Sequence, residues 1–162
     1  MEWNQVAGHP QLQNLPFKIE LNEWGNIVMS PASNRHGNLQ VWLAMHLMRL
    51  MGTGEVSAHV SILTAKNVKV ADVAWASDAF MARHGFATPY PAAPELCVEI
   101  VPSGSSAEEL TEKKALYLAS GAKEVWFCQE SGDMEFFDQT GQLGASALCF
   151  GFPAVLARRS HA

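Results

Sequence analysis

Leu96-Cys97-Val98-Glu99-Ile100-Val101 is apolar but for one acid, and Pro102-Ser103-Gly104-Ser105-Ser106 follows it directly. A short apolar run stopped by turn-forming residues reads as a buried strand leading into a loop. Ser106 with Glu109 three residues on forms a capping box, and Ser105 with Glu108 gives an equally good register. The helix that begins there is ended by Gly121, just past Ala119-Ser120. Glu124 to Gln129 is then a strand, Ser131-Gly132-Asp133 a tight turn, and Met134 to Phe137 the return strand. Thr140-Gly141 turns again, and Leu148 to Phe152 reads as a last edge strand.

Towards the N-terminus, Val60 to Leu63 and Val68 to Ala76 read as strands, and Ala79 to His84 as a short helix. Thr88 to Pro94 holds three prolines and is a loop. Arg35 to Met51 is rich in Leu, Met, Val and Trp and ends at Gly52-Thr53-Gly54, which predicts a largely buried helix. Phe17 to Leu21 and Asn26 to Met29, joined through Asn22-Glu23-Trp24-Gly25, predict a hairpin. Residues 1–16 are polar and broken by Pro10 and Pro16, and read as an arm. Strands alternating with two substantial helices predict an α/β domain, a mixed sheet flanked by helices. The domain expected is 17–156, with a tail at 157–162.

The 162 residues suit one domain that buries roughly 70% of the surface its unfolded chain exposes. A hydrophobic fraction of 48% with 17% charged residues excludes disorder as the main state. No run of about 18 apolar residues occurs, so no membrane partner is expected. The net charge of −5 excludes nucleic-acid binding by bulk attraction, so any such role needs a local basic patch or a bound metal. Cys97, Cys128 and Cys149 are odd in number, widely spaced and set among apolar neighbours, which suits a reducing cytoplasm. CxxC, HExxH, Walker A, GxSxG and GxGxxG patterns are absent, and the six histidines lack zinc-ligand spacing.

Two isolated acids carry the chemistry. Glu99 interrupts the apolar strand 96–101, and Asp72 interrupts Val70-Ala71-Asp72-Val73-Ala74-Trp75. A carboxylate among apolar residues is costly unless it is paired or bound to a metal. Asp is also common at strand boundaries, and a strand-end Glu can reach solvent, so each acid alone has a plain structural explanation. Two such acids on central strands are a usual way to hold a hard cation such as Mg²⁺. Lys113 and Lys114 flank the apolar stripe of the second long helix on opposite sides, and helix geometry does not choose between them. His36 opens the first long helix, and Gln40 lies one turn on along the same face.

The series Ile27-Val28-Met29-Ser30-Pro31 with His36, then Ala71-Asp72-Val73-Ala74, then Pro94 to Ser103, then Glu112 to Trp126, resembles the Uma2 family, also called DUF820. The resemblance spans about residues 17 to 156 and is most specific from Pro94 to Trp126. It implies a restriction-endonuclease-like fold of the PD-(D/E)XK superfamily. The family's two acids fall on Asp72 and Glu99. The lysine expected two residues after the second acid is absent, since Val101 stands there; the family's helix lysine, four residues before a Tyr, falls on Lys113. Ala71 replaces a Pro, Glu95 an Asp, and Gly25-Asn26 a Gly-Glu pair.

The resemblance implies an endonuclease that hydrolyses DNA phosphodiester bonds with Mg²⁺ or Mn²⁺. Asp72, Glu99 and the Ile100 carbonyl would hold the metal, Lys113 would polarise the attacking water, and His36 or Gln40 would orient water or contact phosphate. A nuclease of this size that cuts both strands is expected to act as a homodimer. The competing reading is a nuclease fold kept as a binding or regulatory module, to which the net charge of −5 lends weight. A small-molecule enzyme using the same acids is a third.

Overall fold

A computed structural model describes residues 1–156; the predicted tail, 157–162, lies outside the described residues. Helix α1 (Trp3–Ala7) and a 3-10 turn at Pro10–Leu12 precede the hairpin of β1 (Phe17–Leu21) and β2 (Ile27–Pro31). Then come α2 (Asn34–Met51), β3 (Glu55–Thr64), β4 (Asn67–Ala76), α3 (Asp78–His84), β5 (Leu96–Val101), α4 (Ala107–Ala119), β6 (Glu124–Gln129), β7 (Met134–Asp138) and β8 (Gly141–Leu143). The predicted α/β class and flanked mixed sheet are what the chain forms. Within residues 1–16, read as an arm, α1 buries Val6. Among the described residues no helix is long and apolar enough to cross a membrane.

The central sheet has six strands in the order β3-β4-β5-β6-β7-β8. Only β5 and β6 run parallel, in register from Leu96↔Glu124 to Val101↔Gln129. A parallel pair needs a crossover, and α4 supplies it. Its N-terminus is fixed by Ser106, whose hydroxyl accepts from the Glu109 N–H, so of the two possible capping registers the Ser106–Glu109 one is used.

Both faces of the sheet are covered. On one, Leu39, Leu43 and Leu47 of α2, at most 1% exposed, pack with Val73, Trp75, Val98, Ile100 and Trp126. Their spacing of four residues puts all three on one helix face. On the other, Phe80 of α3 and Tyr117 and Leu118 of α4 pack with Val60, Ala71, Cys97 and Val125. Burial on both sides explains why β5 is apolar throughout rather than alternating.

The predicted edge strand at Leu148–Phe152 does not form; among the described residues the last strand is β8. The reason is Glu124, which is 3% exposed. Its carboxylate accepts from the Ala147 and Leu148 N–H groups at 2.8 Å each, and from Ser146 Oγ and Trp126 Nε1 at 2.7 Å each. Amides that a ladder would use are thereby taken, and the segment loops back to pair Leu156 N–H with the Gly132 carbonyl. Glu124→Ala leaves these donors unpaired, at about 1–3 kcal/mol for each one that stays buried. A loss of about 3 kcal/mol or more in urea unfolding is expected.

Candidate active site

The site arises where the ladders on both sides of β4 are interrupted. β4 and β5 pair only through Trp75↔Leu96, Ala74↔Cys97 and Val73↔Val98, and then separate. On the other side β3 pairs through Ala58↔Val73 and Val60↔Ala71, leaving His59 and Asp72 facing each other outside the register. His59 takes the left-handed conformation, φ 53°, which non-glycine residues adopt rarely. The strands switch faces here. The paired Val56 and Trp75 pack in the α2 core, and the paired Val60 and Ala71 in the opposite one.

Backbone groups released by this separation must find other partners. The Asp72 carbonyl accepts from Gln40 Nε2 at 2.8 Å. The Ile100 N–H donates to Asp72 Oδ2 at 2.7 Å. Asp72 is therefore held at both its carbonyl and its carboxylate, by a helix on one side and the neighbouring strand on the other.

The second oxygen of each acid turns towards one cation. Lys18 Nζ lies 3.1 Å from Asp72 Oδ1 and 2.8 Å from Glu99 Oε2. Asp72 is 1% exposed and Glu99 4%. Tyr117 Oη donates to Glu99 Oε1 at 2.6 Å, and Lys113 Nζ stands 3.4 Å from the same oxygen. Lys113 is bound more closely to Glu20 Oε1, at 2.8 Å, and that oxygen also accepts from the Val70 N–H. His36 Nε2 is buried 3.2 Å from Asp72 Oδ1, off the line of a hydrogen bond and with no other partner. A cavity of about 330 Å³ opens onto this cluster between the β1–β2 hairpin and the starts of α2 and α4.

The charges settle unequally. Burial opposes ionisation of Asp72, but His36, Lys18 and the Ile100 N–H outweigh it and hold its carboxyl well below the usual range. Burial pushes the Glu99 carboxyl up; Lys113 and Lys18 offset this only in part, while Asp72 and Glu20 add repulsion. Burial works against the Lys18 ammonium, yet Glu99, Asp72 and Glu20 hold it charged far above the usual lysine range. Burial and the neighbouring Glu99 keep Tyr117 a phenol that donates its proton.

Asp72, Glu99, His36 and Lys113 thus stand round one cavity. Gln40 touches it through the Asp72 backbone, and the Ile100 amide rather than its carbonyl makes the contact seen here. Lys114 points elsewhere, its ammonium 4.2 Å from the Phe137 ring centre. Sequence reasoning missed Lys18, Glu20 and the hydrogen bond of Tyr117. No local signal marks the first two: in Phe17-Lys18-Ile19-Glu20-Leu21 the charged positions are buried and Phe17 is 41% exposed, the reverse of an ordinary half-buried strand.

A family model described as Uma2, "Putative restriction endonuclease", matches residues 9–149. The fold is similar to a crystal structure of a "putative nuclease belonging to DUF820" from Anabaena variabilis. The TM-score is 0.66 at 14% identity, over 88% of this chain and 83% of that one. No curated protein matches the chain in sequence.

The charge pattern sets an acid response. Asp72 and Glu20 have folded-state pKa values below their ordinary 3.8 and 4.5. Their contribution to stability is complete above those values and is lost as pH falls through the folded ones; Glu99, shifted upward, acts with the opposite sign. Asp72→Asn is expected to flatten the loss of stability below about pH 4 in urea titrations at stepped pH.

Proposed function

The chain belongs to the Uma2 family, and we propose that it is a divalent-metal-dependent endonuclease that hydrolyses phosphodiester bonds in DNA. The observation that carries this reading is the convergence of two buried carboxylates on one cation position beside a second ammonium, at the floor of an open cavity. The donor set fits Mg²⁺ or Mn²⁺. Such ions take one or two carboxylates and leave their other positions to water and phosphate oxygen. Among the described residues no group of three or more His, Cys, Asp or Glu side chains is arranged to hold a metal ion, so the side chains of this site would supply two ligands.

Asp72 and Glu99 would hold the metal together with the Ile100 carbonyl. A bound divalent ion lowers the pKa of its water and neutralises charge on the phosphate. Gln40 and the Ile100 amide keep the Asp72 carboxylate aimed, so that little reorganisation accompanies the reaction. Tyr117 performs the same service for Glu99. Lys113, oriented by Glu20, supplies positive charge to the attacking water and the developing oxyanion. His36, in the cavity lining with its Nε2 3.2 Å from Asp72 Oδ1, is suited to contacting water or a phosphate oxygen bound beside that acid.

Charge arithmetic supports an anionic substrate. Glu20, Asp72 and Glu99 carry three negative charges when ionised, and Lys18 and Lys113 two positive ones. The cluster is then one charge negative by itself and becomes one charge positive with a divalent ion. Attraction for phosphate is in this way tied to metal loading despite the chain's net charge of −5. Cleaving both strands with one site per chain needs two copies, so the working form in this reading is a homodimer.

The test is a cleavage assay on single- and double-stranded DNA and RNA with Mg²⁺ and with Mn²⁺. Wild-type protein should cut DNA, and Asp72→Asn should leave only background. Lys113→Ala should lower the rate by about 10²–10³-fold, the scale on which one charge-stabilising group acts. Cleavage that survives Asp72→Asn overturns the assignment. Metal binding without cleavage returns the chain to a binding module.

A further inference from the structure

The position between Asp72 and Glu99 is held by a cation of the chain's own. Lys18 Nζ makes the shortest charged contact to each of the two acids, at 2.8 Å and 3.1 Å, and the residue is only 8% exposed. One ammonium facing two carboxylates matches half their charge, whereas a divalent ion would match it fully. An ammonium on a four-carbon stem is a mobile point charge with no directional demand, unlike a guanidinium.

The element that carries Lys18 is also set apart. β1 belongs to a separate two-stranded sheet and shares no ladder with β4 or β5, which carry the acids. Lys18 can therefore leave without disturbing their backbone. Its side chain lines the cavity, as do Ser30 and Ser105, so the ammonium has space to move into.

We propose that Lys18 is a tethered resident cation: it keeps the Asp72–Glu99 pair assembled in the metal-free protein, yields that position to an arriving divalent ion, and then contacts the substrate phosphate as a further catalytic residue. The inference rests on the metal-dependent reading above. It makes Lys18 a competitor for metal and a helper in cleavage, two effects of opposite sign that a purely structural lysine would not show.

Calorimetry with Mn²⁺ and Mg²⁺ on the full chain, beside the DNA cleavage assay, separates these effects. Lys18→Met, with a stem of similar size and no charge, is expected to bind metal at least about tenfold more tightly and to cleave at least about a hundredfold more slowly. A folded Lys18→Met protein that binds metal no more tightly than wild type, or cleaves as fast, overturns the proposal. If that variant does not fold, the wild type gives the answer through mass-spectrometric lysine acetylation. Lys18 should be protected without metal and reactive at saturating Mg²⁺; unchanged protection at saturation overturns it.

The two readings fail differently. Metal binding that is lost in Asp72→Asn but indifferent to Lys18 leaves the nuclease reading and removes the tethered cation. Binding by Lys18→Met alone makes Lys18 a permanent occupant that does not yield, which overturns the tethered cation and removes metal-dependent activity from the native chain. Binding by neither protein removes both.

Discussion

Asp72 and Glu99 sit side by side almost out of contact with water, and leaving such charges unpaired there would cost several kcal/mol each. Lys18 supplies the counter-charge, and the hydrogen bonds around it supply the rest. The Ile100 amide takes one Asp72 oxygen and the Tyr117 hydroxyl one Glu99 oxygen. Much of the architecture near the site can be understood as the means of bringing those partners in. The β4–β5 ladder stops so that an amide is free to donate. The hairpin lies against β4 so that a lysine can reach between the strands. α4 crosses so that its tyrosine meets β5 from behind.

The packing that holds the sheet also aligns the site. Leu39, Leu43 and Leu47 seat α2 on the sheet, and His36 and Gln40, on the first turns of the same helix, then reach Asp72. Helical spacing joins the two jobs, because residues three and four apart share a face. Tyr117 does something similar in α4: its ring is part of the core while its hydroxyl meets Glu99. Side chains fixed by core packing make a more rigid site than loop residues would.

Most of the fold could be read from the chain because its local signals agree with one another. The unit from Leu96 to Gln129 has an apolar strand, a serine cap, a glycine stop and a second apolar strand, and each forms where the pattern put it. The edge strand expected at Leu148–Phe152 failed because a long-range partner, Glu124, claimed its amides. No local pattern carries that information. The acids at 72 and 99 stood out because they interrupt apolar runs, which is a local signal. Lys18 and Glu20 did not, since alternating charge in a short strand ordinarily marks a solvated face. Their burial comes from packing against β4, some fifty residues away. The choice between Lys113 and Lys114 was open to helix geometry; the family resemblance pointed to Lys113, and the tertiary contacts separate the two.

The left-handed turn of the backbone at His59 has a further result. β3 is an outer strand of the sheet, and an outer strand that runs straight offers its free amides and carbonyls as a template for another molecule. Here the strand changes face midway, and at Ser61 and Leu63 its outer groups are already bonded to Tyr90. No unbroken length of edge remains on which a neighbour could lay a full-length strand. The same deformation that frees Asp72 for chemistry guards this flank of the molecule against open-ended aggregation.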